Sequence, residues 1–364
     1  MPNPQDEHSE VPLARRKRAF VLAKRTDLGD FEKYFVRAGQ RSLTGPLRHA
    51  GISDTTKRVL EDGLKVVEKI NREGADVKLS DDEAAAYESV VLIADRPALL
   101  VQNDKCAPAA EPWNVPLSKG DTAISKNLPK AGRIEVRIGD TVREIATGFV
   151  VGEGLIMTNR HVVDDIAFRE DPSEPNAGDD KPVKWRIRQN LRPQINFKAE
   201  HQVSDDSRIF SFTNDPIYTH PRFDLGLMRM AKQSSGDTPI QAPAPLKLSG
   251  AGLNTQSMQL YVVGYPSADN QNVIPKVVLD DIFGGIFEVK RLSPGELAGT
   301  LDDGVRFAHD CSTLGGNSGS CVIDLNTELV VGLHFRGSYL KANYAVWLWK
   351  LRDFLTAQGV QFFN

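Results

Sequence analysis

Apolar residues follow two rhythms along this chain, and the change between them divides it. From Val11 to about Val91 they recur every three or four positions, as amphipathic helices require. Phe31, Tyr34, Phe35 and Ala38 make one such face, and Val59, Leu60, Leu64, Val67 and Ile70 another. Ser80 and Glu83 bracket Asp81 and Asp82 ahead of three alanines, a capping box that opens a helix. Ala98 to Gln102 reads either as a short strand or as the tail of this helical unit. Residues 108–121 contain three prolines, Ser118 and Gly120, and read as a linker. Beyond it the period shortens to two. Strands are expected at 133–138, 146–151, 155–158, 183–189, 194–199, 208–212 and 224–230, then at 260–266, 276–289, 305–310, 319–323, 329–335 and 344–348. Many short strands with frequent turns indicate an antiparallel sandwich or barrel. Helical spacing returns from Trp349 to Ala357, with Leu351, Phe354 and Leu355 on one face.

Composition narrows the class. The chain has 364 residues, 45 basic and 48 acidic, for a net charge of −3, so neither nucleic acid nor a membrane surface is favoured as a general partner. The basic cluster Arg15–Arg18, with Lys24 and Arg25, lacks interleaved aromatics and reads as a solvated helix face. Residues 1–10 read as a disordered tail. No apolar run approaches the ~18 residues of a membrane span. The start is polar, and Ala19 to Ala23 is too short for the apolar core of a secretory signal. Three cysteines, Cys106, Cys311 and Cys321, are too few for a disulfide framework, so free thiols and a cytoplasmic setting are expected. No Cys-x-x-Cys or His-x-x-x-His cluster occurs, and no metal or cofactor is expected. The seven acids between Asp164 and Asp180 read as an exposed insertion loop.

Three motifs carry chemistry. Thr158-Asn159-Arg160-His161 places a histidine after an apolar strand. Phe223-Asp224-Leu225-Gly226 places an aspartate at the opening of another. Leu314-Gly315-Gly316-Asn317-Ser318-Gly319 places a serine in a glycine-flanked turn before Cys321-Val322-Ile323. A serine hydroxyl is a weak nucleophile until a base accepts its proton and a carboxylate fixes that base. His161, Asp224 and Ser318 supply the three parts. Gly315 and Gly316 permit a turn that aims the amides of Gly316 and Ser318 at one point, as an oxyanion hole requires.

The order His, Asp, Ser is that of chymotrypsin, not of subtilisin or the α/β-hydrolases. From about residue 120 to 364 the chain resembles the trypsin/chymotrypsin-like serine peptidases, in particular the bacterial branch of glutamyl endopeptidases and HtrA-type proteases. No region of PDZ size follows the protease region, so the HtrA architecture is matched only in part. The resemblance implies a mainly β fold: two six-stranded antiparallel barrels, chymotrypsin-like, with a C-terminal helix. A small α-helical domain precedes them. The boundaries expected are a helical module at 1–107, a linker at 108–121, a first barrel at 122–241 with His161 and Asp224, and a second barrel with the terminal helix at 242–364 with Ser318.

The resemblance also implies a specificity pocket. Ser312 stands where trypsins carry an aspartate at the pocket base, so a Lys or Arg substrate side chain would find no counter-charge. Thr313 and His334 match positions that glutamyl endopeptidases use for an acidic side chain, and Arg336 adds positive charge. Asn317 replaces the aspartate that pairs with a new N-terminus in animal trypsins, so no such trimming is expected. The expected activity is that of an intracellular serine endopeptidase acting on protein or peptide through an acyl-enzyme. Its preference would be for acidic or Gln-like residues, with apolar or small side chains as the alternative if His334 merely lines its strand, and a regulatory partner would bind through residues 11–100. A catalytically silent scaffold and an esterase with the same triad are the alternatives.

Overall fold

The computed structural model describes residues 54–74, 77–80, 83, 86, 87, 96–139, 141–171, 181–203, 205–236, 238–252, 258–268, 276–338 and 342–363. The expected tail, the helical face around Phe31, the basic cluster at Arg15–Arg18 and the acidic run after Asp171 lie outside the described residues. Among them, no helix is long and apolar enough to cross a membrane.

Helix α1 (Asp54–Glu73) covers the second predicted helical face. Its Val66, Val67 and Ile70 bury a small cluster with Tyr87, edged by Val77 and Leu79. The capping box is formed: Ser80 N–H donates to Glu83 Oε2 at 2.8 Å, and Glu83 N–H donates to Ser80 Oγ at 3.2 Å. Lys69 also reaches Glu83 at 2.7 Å, and both contacts hold its carboxyl below the usual range.

The remainder is mainly β. Strands β1 (Leu99–Gln102) and β2 (Lys105–Cys106) form a hairpin, followed by helix α2 (Asn114–Asn127). Then come β3 (Ala131–Ile138), β4 (Thr141–Gly152), β5 (Leu155–Thr158), helix α3 (Arg160–Ile166), β6 (Ala167–Arg169), β7 (Val183–Ile187), β8 (Arg192–Asn196), β9 (Ile209–Ser211), β10 (Ile217–Thr219) and β11 (Gly226–Arg229). The second half holds β12 (Leu248–Ser249), β13 (Gln259–Gly264), helix α4 (Lys276–Phe283), β14 (Arg291–Thr300), β15 (Arg306–His309), β16 (Cys321–Asp324), β17 (Val330–Ser338), β18 (Ala342–Trp347), helix α5 (Arg352–Ala357) and β19 (Phe362–Phe363).

The second-half strands close a six-stranded antiparallel barrel, β13-β16-β17-β18-β15-β14, because β13 pairs with β14. The first-half strands form a nine-stranded sheet, β6-β7-β10-β11-β5-β4-β3-β8-β9. Its six strands β11-β5-β4-β3-β8-β9 curl until Phe212, just past β9, and Met230, just past β11, meet in a bridge flanked by the Thr213 N–H to Arg229 O (2.8 Å) and Ala231 N–H to Ser211 O (2.9 Å) bonds, while β10, β7 and β6 extend the sheet beyond that run.

Both faces of the central strands are buried, which is why they read as unbroken apolar runs. In β4, Ala146 and Val150 point into the first sheet's core while Phe149 and Val151 point into the seam between the halves. In β13, Leu260 and Val262 fill the second barrel while Tyr261 and Val263 face the seam. In β16, Cys321 and Ile323 face the seam and Val322 the barrel. Inside the second barrel the Phe307 and Trp347 rings stack at 3.9 Å.

Lys290 rivets the seam. Its fully buried ammonium donates to the carbonyls of Leu128 (3.0 Å) and Phe197 (2.7 Å) and to Glu200 Oε1 (3.4 Å). Burial pulls this lysine down to about 8, with Glu200 and Asp104 opposing the shift.

Two expectations are corrected, one alternative is decided and one strand is added. The segment read as a linker runs into helix α2, which packs Leu117 and Ile124, together with Trp113 and Leu128, into the seam. Pro116 sits in the first turn, where its missing N–H costs nothing. At Gly120 a Cβ would lie 2.9 Å from Glu328 Oε1, so a side chain there would displace that carboxylate. Residues 99–102, read either as a short strand or as the tail of the helical unit, form the strand, paired with β14, Leu99 opposite Leu292. The strand expected at 276–289 begins as helix α4, whose Leu279 and Phe283 bury one face against Ala98. The strand β14 was missed because Pro294 and Gly295 interrupt its apolar pattern.

Candidate active site

Strand β5 ends at Thr158, and the chain turns at Asn159 into the short helix α3. His161 lies in its first turn. Strand β11 pairs with β5, Gly226 opposite Thr158, so the residues just before β11 arrive beside His161. Gly226 must lack a side chain, since a Cβ would stand 2.7 Å from Val163 Cγ2.

Asp224 binds His161 twice. The His161 backbone N–H donates to Oδ1 at 3.0 Å, and Nδ1 lies 2.7 Å from Oδ2. The Asp224 carbonyl accepts from Asn159 Nδ2 at 2.8 Å. The Asp224 turn is held by buried His220, whose Nδ1 accepts the amides of Arg222 and Phe223, each at 3.1 Å. That nitrogen therefore carries no proton. Phe354 of α5 lies against the His220 ring at 4.6 Å, so the C-terminal helix backs the aspartate turn.

Ser318 reaches the same place from the other half. Thr147 of β4 grips its loop twice: the Thr147 N–H donates to Ser318 O at 2.9 Å and Oγ1 donates to Gly316 O at 2.8 Å. The Thr147 carbonyl accepts from Thr158 Oγ1 at 2.8 Å. Gly319, at φ +86°, lies so close that a Cβ would stand 2.5 Å from Thr158 Oγ1, three residues before His161. Gly316 has φ +81°, and a Cβ there would meet Tyr265 O at 2.3 Å. Among the described residues, neither the Gly316 nor the Ser318 amide donates to a backbone carbonyl.

The four residues assigned to the pocket differ in setting. Thr313 Oγ1 donates to Asn343 Oδ1 at 2.7 Å. Ser312 is buried, and its hydroxyl is turned to the carbonyl of Arg96 at 2.6 Å. His334 lies on β17 beside the serine loop: Gly319 N–H donates to His334 O at 3.0 Å, and His334 N–H to Ser320 O at 2.9 Å. Its ring is buried, with Nδ1 at 3.1 Å from His309 Nε2. Burial first, then His309 and His161, push its imidazole well below the usual histidine range. Arg336 is exposed, past a register shift in β17.

Sequence reasoning missed Thr147, Thr158, His220, His309 and Asn343. Only Thr158 had a local signal, its place beside His161. The others act across the fold and leave no spacing to read.

A histidine held by a carboxylate lies on the first half, and the glycine turn that carries Ser318 is tied to the neighbouring strand β4 and to Thr158, three residues before that histidine. Residues 146–333, just over half of the chain, match the trypsin-like peptidase domain, and the chain belongs to that family. It is a trypsin-like serine peptidase. It is 28% identical over 310 residues to a probable serine protease of Lysobacter enzymogenes, covering 79% of each chain. It is 27% identical over 212 residues to a glutamyl endopeptidase of Staphylococcus aureus (strain MW2), covering 58% of this chain and 53% of that relative. An inactive form of Rv3671c from M. tuberculosis H37Rv aligns over 70% of this chain and 97% of its own, with 17% identity and a TM-score of 0.41.

Proposed function

We propose that His161, Asp224 and Ser318 are the catalytic triad of a chymotrypsin-like endopeptidase. The observation that carries this is the double grip of Asp224 on the His161 amide and Nδ1. It commits one ring nitrogen and leaves Nε2 to accept the Ser318 proton. The serine attacks the scissile carbonyl, and its proton passes to His161. The imidazolium, stabilised by Asp224, returns the proton to the leaving amine. Water then hydrolyses the acyl-enzyme by the same route. The amides of Gly316 and Ser318 receive the oxyanion, each such donor contributing about 2.7–4 kcal/mol to the transition state.

The side chain preceding the cut bond is acidic or Gln-like in this reading. If His309 donates from Nε2 to His334 Nδ1, the proton of neutral His334 sits on Nε2 as a donor to a carboxylate or amide oxygen. Thr313 adds a hydroxyl, and exposed Arg336 a positive charge at the rim. The relatives named glutamyl endopeptidase favour the same preference. The three free thiols suit a reducing, intracellular setting. The N-terminal module regulates the enzyme through α4, which α1 touches and whose Leu279 and Phe283 share a cluster with Leu314 of the serine loop.

A fluorophosphonate probe tests the nucleophile: it should label the wild type at Ser318 and leave Ser318→Ala unlabelled. Cleavage of a peptide library tests the pocket, with cuts expected after Glu, Asp or Gln. Dominant cutting after Lys or Arg would overturn the pocket reading.

A further inference from the structure

Residues 310–313 lead from β15 toward the Ser318 turn and are gripped by two residues distant in sequence. On one side is Asn343, which accepts from Thr313 Oγ1 at 2.7 Å and donates from Nδ2 to Cys311 O at 2.7 Å. On the other is Arg96, from the chain just ahead of β1. Its guanidinium donates from Nε to Asp310 Oδ1 at 2.8 Å and from Nη2 to Oδ2 at 2.9 Å. The two side chains are 0% and 4% exposed. Asp310 Oδ1 also accepts the Glu296 amide at 2.7 Å, and Gly295 beside it leaves room that a Cβ, 2.7 Å from Oδ1, would take. Two residues further on, Ser312 Oγ donates to the Arg96 carbonyl at 2.6 Å. The Trp113 ring covers the guanidinium at 5.4 Å.

We propose that Arg96 is a positioning residue for substrate specificity, a clamp supplied from outside the barrels that fixes the pocket wall at Asp310–Thr313. The proposal rests on the reading of Ser312 and Thr313 as that wall. A planar fork holding both carboxylate oxygens fixes orientation as well as distance, which a lysine point charge does not. Arg96 grips Asp310 through its side chain and Ser312 through its carbonyl, so the register of Cys311 between them is set. The uncharged Asn317 forms no ion pair of its own beside the nucleophile. The charge that orders this loop instead comes from a residue placed well before the barrels, with no cut needed.

The test uses the full chain with Arg96→Lys, Asp310→Asn and the double variant Arg96→Met/Asp310→Asn. The double variant leaves no buried charge without its partner, so it keeps the fold where a single change can fail. Three readouts are compared: hydrogen exchange along the chain, labelling of Ser318 by a small alkyl fluorophosphonate that needs no pocket, and kcat and KM on the peptide type that the wild type prefers. In the double variant, exchange in 311–317 should rise about tenfold while 131–158 stays unchanged. Peptide kcat/KM should fall about tenfold, mainly through KM, with the phosphonate rate nearly unchanged. Arg96→Lys should fall between the two. Unchanged exchange in 311–317, a uniform rise along the chain, or an equal loss of peptide and phosphonate rates would overturn the clamp. A wild type that takes no label at Ser318 would sink the catalytic reading instead, and the exchange pattern would then decide the clamp alone.

Discussion

Asp224 accepts two hydrogen bonds from a single residue, and this makes the His161 ring a fixed part rather than a free rotor. Asp224→Asn would offer an N–H to Nδ1 and favour the wrong tautomer. Turnover should drop on the order of 10⁴-fold with little change in folding. Steady-state kinetics beside a thermal melt checks this, and a variant keeping a tenth of wild-type turnover would remove Asp224 from the triad. Gly316 is the second telling residue. Its φ of +81° and the 2.3 Å approach of Tyr265 O leave no room for a methyl group. Gly316→Ala should tilt the oxyanion donor away and lower kcat by about 10²–10³, with KM changed far less. A KM effect with kcat intact would point to a binding role.

Strand β4 joins the two halves of the site through one residue, by both its backbone and its side chain. Thr147 holds the carbonyls of Gly316 and Ser318 and receives Thr158, so it carries the serine loop to the histidine helix. Thr147→Val keeps the shape and removes Oγ1, leaving the Gly316 carbonyl short of a donor at a cost of about 1–3 kcal/mol. Turnover should fall while the first-half core stays intact; equal kcat for the two proteins would dismiss Thr147 as a bridge. Elements of this kind mark the limit of what the residues disclose in order. The histidine, aspartate and serine motifs were legible because each flanks an apolar strand, His161 after β5, Asp224 before β11 and Ser318 before β16. The capping box at Ser80 was legible because its partners are three residues apart. Thr147 and His220 were not, because their partners are brought close only by the folded sheets. Helix α2 was hidden by Pro116 and Gly120, which punctuate most sequences but here occupy a first turn and a close contact with Glu328. The α4 segment reads as a strand because Val277 and Val278 favour one locally, whereas burial of Leu279 and Phe283 against Ala98 and Leu314 decides the outcome.

At the scale of the whole molecule, buried His334 ties stability to pH. Its folded pKa lies below the ordinary 6.5, so as pH falls the unfolded chain takes up the proton first. The contribution of His334 is therefore complete above about pH 6.5 and is lost progressively below it, down to the depressed folded value. Urea midpoints measured between about pH 5 and 8 should be level on the alkaline side and fall on the acid side. His334→Gln should flatten that fall, and an unchanged slope would show that the burial of His334 does not govern it.

The pairing of β1 with β14 has a last consequence. A protease that nicked the chain between Ala107 and Trp113 would sever one covalent bond and leave the ladder, the Arg96 fork and the Val101 contact in place. The two pieces would part on a denaturing gel and still travel as one particle on a sizing column. A band pattern alone would then give a false picture of an enzyme stripped of its forward segment.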